Sequence, residues 1–259
     1  MKITTFLVAG ILGCTMLGGA QAQEGQPAAP AAPTPEAPAK PTLAPVTKEN
    51  VAQAVTQYGE MDLPRALDTK ELKIVATYLK EGDAYQAASA ARFLANAQQN
   101  EAMQRLTPML ARFKEVVESP LSLPPTGLSY LSSEAYVINI FLLSISRIKP
   151  AQTVVNALEK ERAGKATPKQ QQWLTAAAGF AGDKRVAPQL KDLFDKETDA
   201  SFKAVLLRAY AWSAQEAAIP TLQTLQNDES VTAYIEGKPQ HGISLIAQGE
   251  LKRLGVLAG

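Results

Sequence analysis

"VLLRAYAWSAQEAAIPTLQTLQND" (Val205–Asp228) carries alanines where a core would hold bulk, a proline inside a helical pattern, and no side chain with obvious chemistry. It has a twin. "WLTAAAGFAGDKRVAPQLKDLFDKE" (Trp173–Glu197) lies over "VLLRAYAWSAQEAAIPTLQTLQNDE" (Val205–Glu229) without a gap, at an offset of 32 (205 minus 173). Leu174 falls on Leu206, Ala177 on Ala209, Pro188 on Pro220, Leu190 on Leu222, and Leu193 on Leu225, while Phe180 meets Trp212. Self-similarity at a period of about 20–50 residues marks stacked supersecondary units, none of which buries its apolar face alone.

Each unit reads as two antiparallel helices. The first runs over Thr167–Ala181, started by a Thr N-cap, Pro168 in the first turn and Gln170 at N3. Gly182 permits a tight turn, and the second helix follows over Asp183–Asp195. Ala177 and Ala209 are small so that neighbouring helices can approach closely, which accounts for the alanines. Pro188 and Pro220 lie one turn into the second helix, where a missing N–H costs least.

The stretch resembles the HEAT family, in particular its short bacterial repeats. Ala218-Ile219-Pro220-Thr221-Leu222 and Val186-Ala187-Pro188-Gln189-Leu190 carry the likeness, which is best over residues 167–229. It implies an all-α, right-handed α-solenoid of stacked antiparallel helix pairs, with the second helices lining the concave side. "YVINIFLLSISRIKPAQTVVNALEKE" (Tyr136–Glu161) fits the same frame at an offset near 35 without the proline. Residues 68–117 suit further pairs, with Asp68 and Glu71 spaced as a capping box. About ten helices over residues 47–259 are expected, strands being unsupported by any sustained period-2 alternation. "ESPLSLPPTGLSYLSS" (Glu118–Ser133) interrupts the pattern as a proline-rich loop, either packed between repeats or presenting Leu121, Leu123, Leu128 and Tyr130 to a partner.

The amino terminus reads as an export signal over residues 1–22: Lys2, an apolar run Phe6–Leu17, and small residues Ala20 and Ala22 before the cut. The alternative is a lipid anchor at Cys14, where "ILGC" resembles a lipobox. Cleavage after Ala22 removes the only cysteine and the only charge of that segment, leaving 25 basic residues (26 less Lys2) against 25 acidic. A neutral chain without a basic footprint does not suit nucleic acid. Residues 23–46 form a Pro/Ala-rich segment expected to be a disordered, extended spacer.

Chemistry is sparse. A single histidine, His241, sits in a polar loop, so a zinc site built on several histidines is not available. No GxSxG, P-loop or GxGxxG occurs, and Ser146-Arg147-Ile148-Lys149 matches S-x-x-K without its companion motifs. Asp192, Asp195, Glu197 and Asp199 have lysines interleaved and read as a salt-bridged surface. No cofactor or metal is expected, nor a catalytic residue. The expectation is a non-enzymatic, periplasmic binding or scaffold protein that takes a protein or peptide partner of the cell envelope. The alternatives are an enzyme or enzyme accessory without a recognisable motif, and a structural envelope spacer. Equivalent outward positions of the second helices, Gln189, Asp192 and Lys196 with Thr221, Thr224 and Asp228, are the candidate partner surface.

Overall fold

The computed structural model describes residues 44–58, 66–97, 101–119 and 129–258. Contacts divide the chain after Ala39, and all of these residues fall in the second unit. The export signal, Cys14, most of the Pro/Ala segment, and Leu121, Leu123 and Leu128 lie outside the described residues. Val46, at the end of the Pro/Ala segment, is buried, and its N–H donates to Glu71 Oε1 at 2.8 Å.

The described residues are predominantly helical. The helices are α1 (Val51–Tyr58), α2 (Thr69–Glu81), α3 (Ala84–Asn96), α4 (Ala102–Glu118), α5 (Ser133–Arg147) and α6 (Ala151–Ala163). They continue with α7 (Pro168–Phe180), α8 (Ala187–Lys196), α9 (Ala200–Ala214), α10 (Ile219–Leu225) and α11 (Gly242–Arg253). Reciprocal capping boxes start three of them: Asp68 with Glu71, Asp83 with Gln86, and Thr167 with Gln170. Each satisfies N–H groups that a helix end leaves orphaned, a contribution of about 1 kcal/mol per cap. Gly182, at φ +84°, makes the turn after α7. The second helix of that unit opens as a 3₁₀ turn (Lys184–Val186) before α8, so Pro188 falls within the first two positions of the α-helix proper.

Packing follows the chain. Each odd-numbered helix lies against the next odd one, from α1 through α11, while α2 packs on α3, α6 on α7, α8 on α9 and α10 on α11. α5 also reaches α9 past α7, whereas no comparable packing joins α6 to α8 or α8 to α10. α2 also packs on α4 and α4 on α6, so it is only from α6 onward that the even helices stand apart from one another while the odd helices pack in an unbroken row. The physical reason is side-chain size. Trp173 through Phe180 of α7 are all buried, and five of these eight are Ala, Gly or Thr-sized side chains that let α5, α8 and α9 close around them. α8 buries only Leu190 and Phe194, and α10 only Leu222.

The repeat is visible in burial. Leu174 and Leu206, Ala177 and Ala209, and Leu190 and Leu222 are each 0 % exposed. Leu193 and Leu225 are half-buried at the layer's edge rather than fully covered. Phe180 and Trp212 occupy equivalent positions and touch, with ring centroids 5.3 Å apart. Tyr136–Ile145 is a covered interior stretch: Val137, Ile138, Phe141, Leu142 and Ile145 are all buried.

A hairpin departs from the helical reading. β1 (Ala233–Ile235) pairs antiparallel with β2 (Lys238–Gln240), in the register Ala233 with Gln240 and Ile235 with Lys238. Glu236 (φ +50°) and Gly237 (φ +76°) form its two-residue turn, the left-handed geometry that matches strand twist. Thr232 pins the hairpin's base: its hydroxyl donates to the Tyr130 carbonyl, and Gly242 N–H donates to it at 2.9 Å. The far end of the proline-rich loop is thus packed on the core, with Leu131 buried and Tyr130 OH accepting from Arg208 Nη2 at 2.8 Å.

Candidate functional site

Gln189, Asp192 and Lys196 share the solvent face of α8, opposite Leu190 and Phe194. Asp192 and Lys196 are one helical turn apart and engage each other, with Lys196 Nζ 2.7 Å from Asp192 Oδ2. Lys191 and Asp195 form a second pair of the same spacing at 2.6 Å. Such exposed pairs contribute about 0.3–0.5 kcal/mol each, so this face is a surface rather than a stabilising device. The acidic residues of the segment are accordingly tied to lysines and to helix capping: Asp199 Oδ1 accepts the N–H groups of Ser201 and Phe202, each at 2.9 Å.

The equivalent residues of the next unit are arranged differently. Thr224 is exposed, and its hydroxyl donates to the Pro220 carbonyl one turn back at 3.0 Å. Thr221 is half-buried. α10 ends at Leu225, so Asp228 lies beyond the helix, where its carboxylate accepts the Ser230 N–H at 2.9 Å. The offset of 32 is therefore preserved in sequence through Asp228 but in helical geometry only through Leu225. Among the described residues no hydrogen bond or ion pair joins the α8 group to the α10 group.

Gln189 has neighbours that the sequence did not single out. The outward splay of α6 and α8 leaves a cleft of about 380 Å³ between them, floored by α7 and lined by Glu159, Arg162, Ala163, Gln171, Thr175 and Gln189. Thr175 is buried, and its hydroxyl donates to the Gln171 carbonyl at 2.7 Å. Glu159 accepts from Arg185 Nη2 at 3.0 Å, and Arg185 Nε donates to Asp183 Oδ1 at 2.9 Å. The hydrogen bonds from Arg185 outweigh burial and hold the Asp183 carboxyl below the usual aspartate range. The same two carboxylates raise the Arg185 guanidinium further above its already high value. Arg162 Nη1 is fully buried, with no hydrogen-bond partner among the described residues. α6, α7 and α8 each supply part of this lining, and only helix packing brings the parts together. A polar residue every three or four positions in α6 reads from sequence merely as a solvated face.

Residues weighed for catalysis are otherwise engaged. The Ser146 hydroxyl donates to the Leu143 carbonyl at 2.8 Å, and His241 Nδ1 lies 2.9 Å from the Glu229 carbonyl beside the hairpin. Among the described residues, no group of three or more His, Cys, Asp or Glu gathers in a metal-binding arrangement, and no helix is long and apolar enough to cross a membrane.

A second polar cluster binds the row of odd-numbered helices together. Glu250, buried on α11, accepts from Trp212 Nε1 at 3.0 Å and from Arg253 Nε at 2.5 Å, with Arg208 Nε 3.7 Å away. Arg208 also bonds Tyr130 and, at 3.4 Å, Asn139 of α5. Every charge in this cluster faces an opposite charge or a dipole, so it serves as a clamp between α5, α9, α11 and the loop.

Compared with protein-family models, curated proteins and solved structures, the chain matches none.

Proposed function

We propose that the chain is an exported binding or scaffold protein of the cell envelope, built as a HEAT-like α-solenoid, which captures a protein or peptide through the outer face of its even-numbered helices. The observation that carries this reading is the polar face of α8. Gln189, Asp192 and Lys196 are exposed together, and among the described residues the two charged groups pair only with each other. The succession of helix pairs, with equivalent leucines and alanines recurring at one offset, supports the solenoid. The signal-like residues 1–22 support export, with periplasmic release as the expected outcome and a Cys14 lipid anchor as the rival; the Pro/Ala segment would hold the folded unit away from an attachment point.

The test is capture from the native envelope by the full chain, compared with an Asp192→Lys/Lys196→Asp double variant. The double variant keeps the attraction between the two positions and inverts its direction, so folding should be unaffected. Loss of a specific partner with an unchanged melting midpoint would support the reading. Retention of that partner would remove α8 from the site.

A further inference from the structure

The geometry points to a second copy of this chain as the partner of α11, in a twofold pair that seats Leu245 of each copy on Gly249 of the other. α11 buries Ile243, Ile246, Ala247, Glu250 and Leu251 against the core. Ser244 Oγ and Gln248 Nε2 donate to the Gln226 carbonyl at 2.7 and 2.8 Å, which fixes a second side of the helix against the end of α10. The third side is open. Leu245, Gly249 and Lys252 are exposed there, at the four- and three-residue spacing of one helical stripe. Among the described residues the exposed large apolar side chains are Met103, Val231, Tyr234, Leu245 and Val256. All but Met103 fall on α11, the hairpin and the residues beside them. The hairpin is tied to the first turn of α11, where the Thr232 hydroxyl accepts the Gly242 N–H at 2.9 Å. Apolar groups gathered on one part of a surface mark an interaction site.

Shape says what covers this stripe. Leu245 is 48 % exposed, and a Cβ at Gly249 would meet nothing within 4 Å, so a free knob and an open hole lie one turn apart. Glycine inside a helix is less favourable than alanine, and nothing within the single chain requires it here. The fold already uses the same contact elsewhere. Leu190 of α8 fills the space over Gly179 of α7, where a Cβ would lie 2.5 Å from Leu190 Cδ1. A twofold axis crossing two antiparallel α11 helices between Leu245 and Gly249 makes that contact twice, because in a self-complementary interface residue i meets j and j meets i.

Charge selects the same arrangement. That axis sets Lys252 of each copy opposite Gly242 of the other. Glu229 stands beside this turn, its carbonyl 2.9 Å from Nδ1 of His241, the N-cap of α11. Lys252 and Glu229 are both exposed, and among the described residues neither enters an ion pair. The basic end of one α11 thus meets the acidic shoulder of the other, whereas a parallel pair would bring like charges together. One helix stripe with a hairpin at its rim is small for an interface, so the pair is weak and concentration-dependent. It involves neither α8 nor the cleft beside it, and so stands apart from the proposed capture of an envelope partner.

Sedimentation equilibrium of the full chain, from about 10 µM to about 1 mM, should show a reversible equilibrium between monomer and dimer and nothing larger. Gly249→Leu fills the hole and should lower the association constant by about tenfold or more. Lys252→Glu and Glu229→Lys, both on the surface, should each weaken association by about threefold while the urea midpoint of the dilute protein stays at the parental value. An equimolar mixture of those two variants should recover the parental association, since each copy then faces an opposite charge at both contacts. A chain that stays monomeric throughout that range, one that grows beyond the dimer, a dimer indifferent to Gly249→Leu, or a mixture no tighter than its components would each overturn the inference.

Discussion

Replacing Gly179 by alanine should destabilise the protein, although the same change inside most helices does the reverse. Gly179 sits in α7 where α8 and α9 converge. A Cβ there would lie 2.5 Å from Leu190 Cδ1 and 2.8 Å from the Ala209 carbonyl oxygen. Leu190 is 0 % exposed and has no free space to rotate into, and the Ala209 oxygen is backbone of a buried helix. Overpacking of this kind costs about 1–3 kcal/mol. Alanine's better helix propensity returns about 1 kcal/mol, so the net loss is of the order of 1–2 kcal/mol. Gly249 in α11 supplies the control. It is exposed, and a Cβ there meets nothing within 4 Å. Gly249→Ala should therefore stabilise by about 0.5–1 kcal/mol. Urea denaturation of the two variants beside the parent should move the midpoints in opposite directions. Shifts of the same sign would refute the close approach of α7, α8 and α9.

Leu222→Ala should cost about 2–5 kcal/mol, because the side chain is 0 % exposed, whereas Thr224→Ala, exposed and bonded only to its own helix, should stay within about 0.5 kcal/mol; equal losses in chemical denaturation would refute the assigned helix face. Arg105→Met should lose about 2–3 kcal/mol, since Arg105 Nη1 donates to the Leu94, Ala95 and Ala97 carbonyls at 3.2, 3.3 and 2.7 Å and so caps the end of α3; a melting midpoint at the parental value would contradict that role. Asp183 titrates below the usual aspartate range in the folded state, so the unfolded chain binds its proton first as pH falls. Its stabilisation should be full above about pH 4 and fade as pH drops through the lower folded value. Asp183→Asn should flatten that part of the acid limb in denaturation midpoints measured from neutral to acidic pH, and an unchanged limb would count against the assignment. Under the proposed export, intact-mass analysis of the mature protein should find an N-terminus at Gln23, and a diacylated Cys14 would overturn cleavage after Ala22.

The unit from Thr167 to Leu225 was legible because its signals are local. Thr167, Pro168 and Gln170 build one cap, Gly182 supplies one turn, and Leu190 and Leu222 are buried in equivalent places. The hairpin was hidden because its strands are three residues each, too short for alternation to register, although the Glu236-Gly237 pair was a usable turn signal. The direction of splay was not legible either. It depends on the summed size of side chains from α5, α7, α8 and α9, and no single helix reveals it. Gln189 was picked out by its register, yet Arg162 and Gln171 join it only through that splay. Asp228 shows the converse limit: its register persisted after the helix carrying it had ended.

The Thr232 pin has a kinetic consequence. In a succession of helix pairs most contacts are local, and ordering can begin at any pair and spread to its neighbours. The bond from Thr232 to the Tyr130 carbonyl spans 102 residues, that from Arg208 to Tyr130 spans 78, and that from the Ser132 N–H to the Ser201 hydroxyl spans 69. None can form until the intervening chain has been drawn into a closed loop, whose entropic cost precedes any gain from the contact. The segment from Ser129 to Gly242 should therefore acquire its final protection in one late, concerted step, and amides beside Tyr130 should exchange with solvent at the same rate as those beside Thr232.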